Sequence, residues 1–330
     1  MKSANARPSA ADSYRPSVVV AEAYTGRFAP SPTGPLHFGS LVSALASFLD
    51  ARAHHGRWLL RIEDIDPPRE VRGAAASIAR QLDAHGLHWD GEILYQSGRA
   101  TQYRDALHQL AAAGLLYRCD CTRERLRHLG GTYDGACRHR VLTGRIPDGA
   151  GFSLRIRTSD APEIRFTDWL RGTSVATRLD ALGGDFVLLR RDELFAYQLA
   201  VAVDDAAQQI THAVRGNDLL ESTPRQIFLL GALGLPAPIY GHVPVVTDAA
   251  GRKLSKQNHA PELDRERPAG NLYRALIRLG QNPPSEAAGA SVTELLVWAS
   301  RHWSPEAVWQ GRAPNITGST VMHYQGDKKV

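Results

Sequence analysis

The sequence predicts an α/β fold: a parallel sheet wrapped by helices, interrupted by a smaller mixed insertion and followed by a short helical part. Two patterns carry this expectation. Short apolar runs rich in Val, Ile, Leu and aromatic residues alternate with longer stretches of helical periodicity, the signature of successive βα units. From about residue 115 to 191 that rhythm gives way to β-like runs separated by Gly and Pro, headed by a cluster of cysteines.

Residues 1–22 contain no apolar stretch of signal-peptide length and read as a flexible extension. "YTGRFAP" reads as a first strand ending at Pro30. "GSLVSALASFLDARAHH" follows as a helix with Leu41, Leu45, Phe48 and Leu49 on one face, and "RWLLRIED" is a second strand. Helical patterns follow near residues 70–85 and 98–113. In the insertion, "FSLRIRT", "IRFTDWL" and "DFVLLRR" read as strands. Beyond it come the helix "YQLAVAVDDAAQQI", the strand "THAVRG", the helix "STPRQIFLLGALG" and the strand "HVPVV". "LYRALIRLG" and "VTELLVWASRHW" are helical segments of a short region over 258–310, and 311–330 reads as a loosely held tail.

The 330 residues are 43% hydrophobic and 22% charged, with net charge +5 and a pI of about 9.2. A mild basic excess permits an anionic partner without naming one. No run reaches the roughly eighteen apolar residues of a membrane span, so no membrane partner is expected, and clustered cysteines without a secretion signal argue for a cytoplasmic chain. Cys119, Cys121 and Cys137 fall in one short window, which argues for metal before disulfide.

Two loops are candidates for phosphate binding. "RFAPSPTGPLHFGS" lies where the first strand turns into the first helix, the usual ligand crevice of a doubly wound sheet. Gly34 and Gly39 permit close backbone approach or positive φ, and Pro30, Pro32 and Pro35 stiffen the loop. The helix start offers unpaired N–H groups to an anion, with His37 just before it as a further donor. The second loop, "GRKLSKQN", holds Lys253 and Lys256, the only lysines between Lys2 and Lys328 in a chain that otherwise writes its cations as arginine. A flexible ammonium suits a phosphate as a point charge. Neither loop has the P-loop or the Gly-x-Gly-x-x-Gly pattern, so hydride transfer and GTPase-type hydrolysis are not favoured.

Together the loops resemble the two signatures of class I aminoacyl-tRNA synthetases. With "RIEDID", "VDD", "ITHAVRGNDLLEST" and "HVPVV" between them, their order is similar to that of the glutamyl-tRNA synthetase group from about Gly26 to Lys256. The resemblance implies a Rossmann-like catalytic domain over 23–257 that activates L-glutamate with ATP and Mg2+. By position it implies ATP contacts from His37, Gly39 and Lys256, with His37, Lys253 and Lys256 catalytic and Lys256 steadying the departing pyrophosphate. The glutamate site would comprise Arg27, Phe28, Ala29, Pro30, Ser31, Glu63, Tyr197 and Arg215. Charge assigns the ammonium to Glu63 and the two carboxylates to Arg27 and Arg215, in an order left open, with a hydrogen bond from Tyr197. Asp204 and Asp205 would help order the site. Ser40 stands where many synthetases carry a second histidine.

Three thiolates can occupy three corners of a tetrahedral zinc, and His128 and His139 are the conventional fourth candidates. The resemblance points instead to Tyr133: the spacing Cys-x-Cys-x11-Tyr-x3-Cys is that of the short, queuosine-modifying relatives of glutamyl-tRNA synthetase, where it carries a structural zinc. Only residues 257–330 follow Lys256, too few for the anticodon-binding region of full-length enzymes, so a catalytic domain acting alone as a monomer is expected. That combination implies transfer of glutamate to the queuosine base in the anticodon loop of tRNA(Asp). Arg123, Arg125, Arg127, Arg138 and Arg140 are candidates to grip its backbone, making binding salt-sensitive. The alternatives are a truncated glutamyl-tRNA synthetase charging tRNA(Glu), disfavoured by the cysteine spacing, and a catalytically inactive amino-acid- or RNA-binding protein, disfavoured by the intact Arg27, His37, Glu63 and Lys256.

Overall fold

A computed structural model describes residues 23–130, 132–144, 146, 151–247, 254 and 261–310, with the backbone of 323–325. The chain opens with β1 (Thr25–Phe28), α1 (Phe38–Ala53), β2 (Arg57–Ile62), α2 (Ala74–Ala84), β3 (Leu94–Tyr95) and α3 (Ala100–Ala112). The insertion contributes β4 (Leu116–Cys119), α4 (Arg123–His128), β5 (Val141–Leu142), β6 (Ser153–Ile156), β7 (Ile164–Asp168), β8 (Thr173–Thr177) and β9 (Phe186–Leu189). The chain then returns through α5 (Tyr197–Ala207), β10 (His212–Gly216), α6 (Ser222–Ala232) and β11 (Ile239–Val243), and ends with α7 (Pro268–Arg278), α8 (Val292–Arg301) and β12 (His323–Gln325).

Strands β1, β2 and β3 pair in parallel, as do β10 and β11. The two blocks meet between β1 and β10, where Thr211 N donates to Thr25 O at 2.9 Å and Thr25 N donates to Thr211 Oγ1 at 2.8 Å. Further along, Arg27 links β1 to β10 by donating through Nη1 to Val214 O at 3.3 Å. A crevice outside the carboxyl ends of parallel strands is where such sheets bind ligands. Helix α1 buries Leu41, Leu45, Phe48 and Leu49 as its periodicity predicts, and α7 and α8 pack on the same core. Helix α8 starts with a capping box: Ser291 Oγ accepts from Glu294 N at 3.3 Å, and Glu294 Oε2 accepts from Ser291 N at 2.8 Å.

The insertion is antiparallel. One sheet has the order β5-β4-β6-β9, and a second pairs β7 with β8 and β8 with β12. The sequence pattern yields β6, β7 and β9 but not β4, β5 or β8, whose short runs lie against cysteines, glycines and small polar residues. The tail region read as loosely held contributes β12. The run "HVPVV" was expected to be a strand throughout, yet β11 begins at Ile239 and ends at Val243; Pro244 has no N–H to continue the ladder. Among the described residues no helix is long and apolar enough to cross a membrane.

Candidate active site

Every residue that the sequence suggests for glutamate or ATP, among the described residues, lines one cleft of about 430 Å³: Arg27 through Ser31, His37, Gly39, Glu63, Tyr197 and Arg215. Leu254 also lines it, while Lys253 and Lys256 lie outside the described residues. The cleft is lined by Arg27 and Phe28 of β1, by Val214, Arg215 and Gly216 of β10, and by the N-terminus of α1. His37 caps that helix, its Nδ1 accepting from Ser40 N at 3.1 Å. Acceptance at Nδ1 puts the ring proton on Nε2 of the neutral imidazole. A Cβ at Gly39 would lie 3.1 Å from the His37 ring, a tight contact that would push the cap histidine aside by a few tenths of an ångström. Gly34 sits at φ +134°, open to glycine and strained for other residues.

Beneath the cleft lies a network of buried charges. Asp205 on α5 accepts from Arg27 Nε at 3.1 Å and from Arg61 Nη2 at 2.7 Å. Arg61 Nη2 also lies 3.7 Å from Glu63. Burial opposes ionisation of Asp205, but Arg27 and Arg61 outweigh it and hold its pKa below the ordinary carboxylate value. For Glu63 burial dominates, and its pKa rises to about 7 despite Arg61 and Arg27. Asp204, one residue before Asp205, instead anchors Gln96 at 2.8 Å, Arg99 at 2.5 Å and the Tyr103 hydroxyl at 2.7 Å. The acidic pair therefore orders the site from below, as expected. Sequence reading missed Arg61; its signal was a lone cation inside an otherwise apolar run.

Arg215 is held differently. Its Nη1 donates to Gln226 Oε1 and its Nη2 to Thr223 Oγ1, both at 2.7 Å, and its Nε donates to His242 Nε2 at 3.3 Å. His242 and Asp168 are fully buried, and His242 Nδ1 donates to Asp168 Oδ2 at 2.7 Å. Burial lowers the His242 pKa in spite of Asp168, so the imidazole is neutral with its acceptor nitrogen turned to Arg215. Among the described residues no carboxylate ion-pairs with Arg215 directly. A buried guanidinium with neutral partners, opening onto a cleft, suits an anionic ligand. Asp168 and His242 were not foreseen; they lie on β7 and β11, and no local pattern links them.

A second cavity of about 430 Å³ adjoins the first and shares Ser31, Thr33, Glu63 and Tyr197 with it. Gln96, 1% exposed, lines this cavity. Its amide nitrogen is committed to Asp204, which leaves Oε1 buried without a partner. Glu70 Oε1 is a second buried, unpartnered acceptor on the same wall. Unsatisfied acceptors of this kind suit a ligand that brings hydroxyl or amine donors.

The sulfurs of Cys119, Cys121 and Cys137 lie within 4.8 Å of one another, a group fit to hold a metal ion. Cys121 Sγ and Cys137 Sγ are 3.7 Å apart, close to the ~3.8 Å edge of a tetrahedron with Zn–S bonds of about 2.3 Å. Of the proposed fourth ligands, the Tyr133 hydroxyl lies 3.5 Å from Cys119 Sγ and 3.9 Å from Cys121 Sγ. His128 and His139 are exposed and outside the cluster; His128 Nδ1 instead contacts Glu124 O at 2.9 Å. Burial would raise the Cys119 thiol, but the Tyr133 hydroxyl, the Cys121 backbone and Arg155 bring its pKa below the ordinary value. Three arginines suggested for RNA contact are neutralised within the protein: Arg125 pairs with Asp134, Arg138 with Asp185 and Arg140 with Asp120.

Comparison with known proteins fits this geometry. The catalytic domain of class I tRNA synthetases (E and Q) matches residues 24–295. A glutamyl-Q tRNA(Asp) synthetase of Thiobacillus denitrificans is 53% identical over 292 residues, covering 87% of this chain and 95% of that protein. One from Escherichia coli K12 is 51% identical over 298 residues, covering 90% and 94%. Among solved structures, a glutamate-tRNA synthetase from Elizabethkingia anophelis superposes with a TM-score of 0.71 at 25% identity, over 87% of this chain and 67% of that one.

Proposed function

The chain belongs to the class I tRNA synthetases of the glutamyl and glutaminyl type, within the glutamyl-Q tRNA(Asp) synthetases, and we propose that it activates L-glutamate with ATP and transfers it to the queuosine base in the anticodon loop of tRNA(Asp). The observation that carries the substrate is the opposition, across one cleft, of the Arg215 guanidinium and the buried Glu63 carboxylate. A zwitterion with an additional carboxylate satisfies both. Glu63 takes the ammonium, Arg215 and Arg27 take the carboxylates, and Tyr197 adds a hydrogen bond.

In the first step a glutamate carboxylate oxygen attacks the α-phosphorus of ATP and the bond to the β-phosphate breaks, releasing pyrophosphate. The nucleophile is already an anion at neutral pH, so no general base is required. The protein's contribution is positioning and charge neutralisation. His37 and the N-terminus of α1 face the phosphates, Gly39 lets them approach, and Lys253 and Lys256 follow the leaving group. Mg2+ on ATP supplies further neutralisation. In the second step a hydroxyl oxygen of the queuosine cyclopentene ring attacks the acyl carbon. The bond to AMP breaks, an ester forms, and the hydroxyl proton leaves to the departing phosphate or to water. The neighbouring cavity favours such an acceptor, since Gln96 Oε1 and Glu70 Oε1 are open to hydroxyl donors.

Cys119, Cys121, Tyr133 and Cys137 would hold a zinc ion with a structural role, tying the cysteine loop to the insertion, and the protein would act as a cytoplasmic monomer. Pyrophosphate exchange tests the first step. Exchange should depend on glutamate, with glutamine at least ~10-fold poorer, because its side-chain amide leaves one of the two arginines, Arg27 or Arg215, without a carboxylate. Equal exchange with glutamine would contradict the assignment of both Arg27 and Arg215 to substrate carboxylates.

A further inference from the structure

A third cavity, of about 630 Å³, lies between the cysteine loop and strands β6 and β9. Val187 and Arg190 line both it and the second cavity, so the two cavities adjoin. The wall of the third cavity carries Arg123, Arg155, Arg190 and Arg191 against one carboxylate, Asp192, with Cys119 and Cys121 on the side of the cysteine loop. Arg190 is neutralised by Asp66 and Asp192. The other three have no carboxylate partner among the described residues. Arg191 Nη2 donates to the Asp120 carbonyl at 2.6 Å. Arg155 is only 7% exposed; its Nη1 donates to the Asp185 carbonyl at 2.7 Å, its guanidinium lies 4.3 Å from the Tyr133 ring centroid, and its Nε is buried with no partner. This contrasts with Arg125, Arg138 and Arg140 of the cysteine loop, each matched to its own aspartate.

Three guanidiniums with no carboxylate partner among the described residues, around one concavity, make a site for an anion that accepts several hydrogen bonds at once, and phosphate is the group whose geometry a guanidinium fork fits. The ATP phosphates belong at the α1 end of the first cleft, on the far side of the second cavity. Resting on the reading that the acceptor is a nucleotide in an RNA loop, we propose that this cavity binds backbone phosphate flanking the modified nucleotide, held by Arg123, Arg155 and Arg191, while that nucleotide occupies the second cavity. The cysteine loop would then form one wall of the RNA site.

Arg155 also faces the Cys119 thiol, so the test is placed on Arg123 and Arg191, both exposed. The variant Arg123→Gln with Arg191→Gln is compared with Arg178→Gln, which removes an exposed insertion arginine paired with Asp180. Binding of queuosine-containing tRNA(Asp) is measured over a salt series, and glutamate-dependent pyrophosphate exchange without RNA reports that the activation site persists. The double variant should bind roughly 10-fold more weakly, with the slope of log affinity against log salt reduced by about 1.4, or ~0.7 for each lost contact to a single-stranded backbone. The Arg178 variant should keep the native affinity and slope. Native affinity and slope in the double variant, or an equal loss in the Arg178 variant, would overturn the proposal, as would failure of the native protein to bind the RNA. Native protein that binds the RNA but transfers no glutamate would contradict the proposed function while the binding comparison still decides the site.

Discussion

Replacing Glu63 with glutamine should make the empty protein more stable and a much poorer binder of glutamate. The carboxylate is buried beneath the cleft, and its pKa rises from an ordinary 4.5 to about 7 because burial outweighs attraction to Arg61 and Arg27. That rise corresponds to on the order of 3 kcal/mol held against folding whenever the group is ionised. The unfolded chain loses this proton near pH 4.5 and the folded protein near pH 7. The penalty is therefore absent below the first value, grows between the two, and is complete above pH 7. The isosteric amide escapes it, while Arg27 and Arg61 keep Asp205 as their partner. Urea unfolding should then find the variant about 2–3 kcal/mol more stable than the native protein at pH 8 and nearly equal to it at pH 4.5. Pyrophosphate exchange should show the KM for glutamate raised roughly 100-fold with little change in the KM for ATP, as a lost buried ion pair to the ligand ammonium requires. A variant less stable at pH 8, an advantage independent of pH, or an unchanged KM for glutamate would refute the reasoning.

Three further outcomes are expected. In the native protein the apparent affinity for glutamate should fall as pH drops through about 7, because Glu63 takes up its proton there; an affinity flat between pH 8 and pH 6 contradicts the role given to Glu63. Asp168→Asn weakens the support that His242 gives Arg215, so the KM for glutamate should rise about 10-fold and the KM for ATP should not. Equal rises in both would mark a purely structural role for Asp168. Elemental analysis should find one zinc per chain, lost in Cys137→Ser with a lower thermal midpoint, and full metal content in that variant would exclude Cys137 as a ligand.

Much of the site was legible because it lies at strand ends and in loops whose residues have local meaning. Arg27, Glu63 and Arg215 sit at or just past the ends of β1, β2 and β10, and a parallel sheet brings those ends together. The cysteine window was legible for the same reason: its spacing is local, and the fold gathers its thiols and Tyr133. Arg61 was hidden inside a strand that the apolar pattern reads as core. The support of Arg215 by His242 and Asp168 was hidden because it joins two strands far apart in sequence, which a pattern of neighbours cannot reveal. The arginines of the cysteine loop mark the opposite limit. Composition shows how many cations there are, but only the packing shows that Arg125, Arg138 and Arg140 are matched by aspartates while Arg123, Arg155 and Arg191 have no such partner among the described residues.

The most direct test of the central claim locates the product. Bulk tRNA is incubated with the protein, ATP and labelled glutamate, then cleaved, and the labelled fragment is identified. Label should appear in the anticodon fragment of tRNA(Asp) and disappear when periodate has first oxidised the queuosine diol. Label on a terminal adenosine would contradict the account and make the protein a minimal glutamyl-tRNA synthetase.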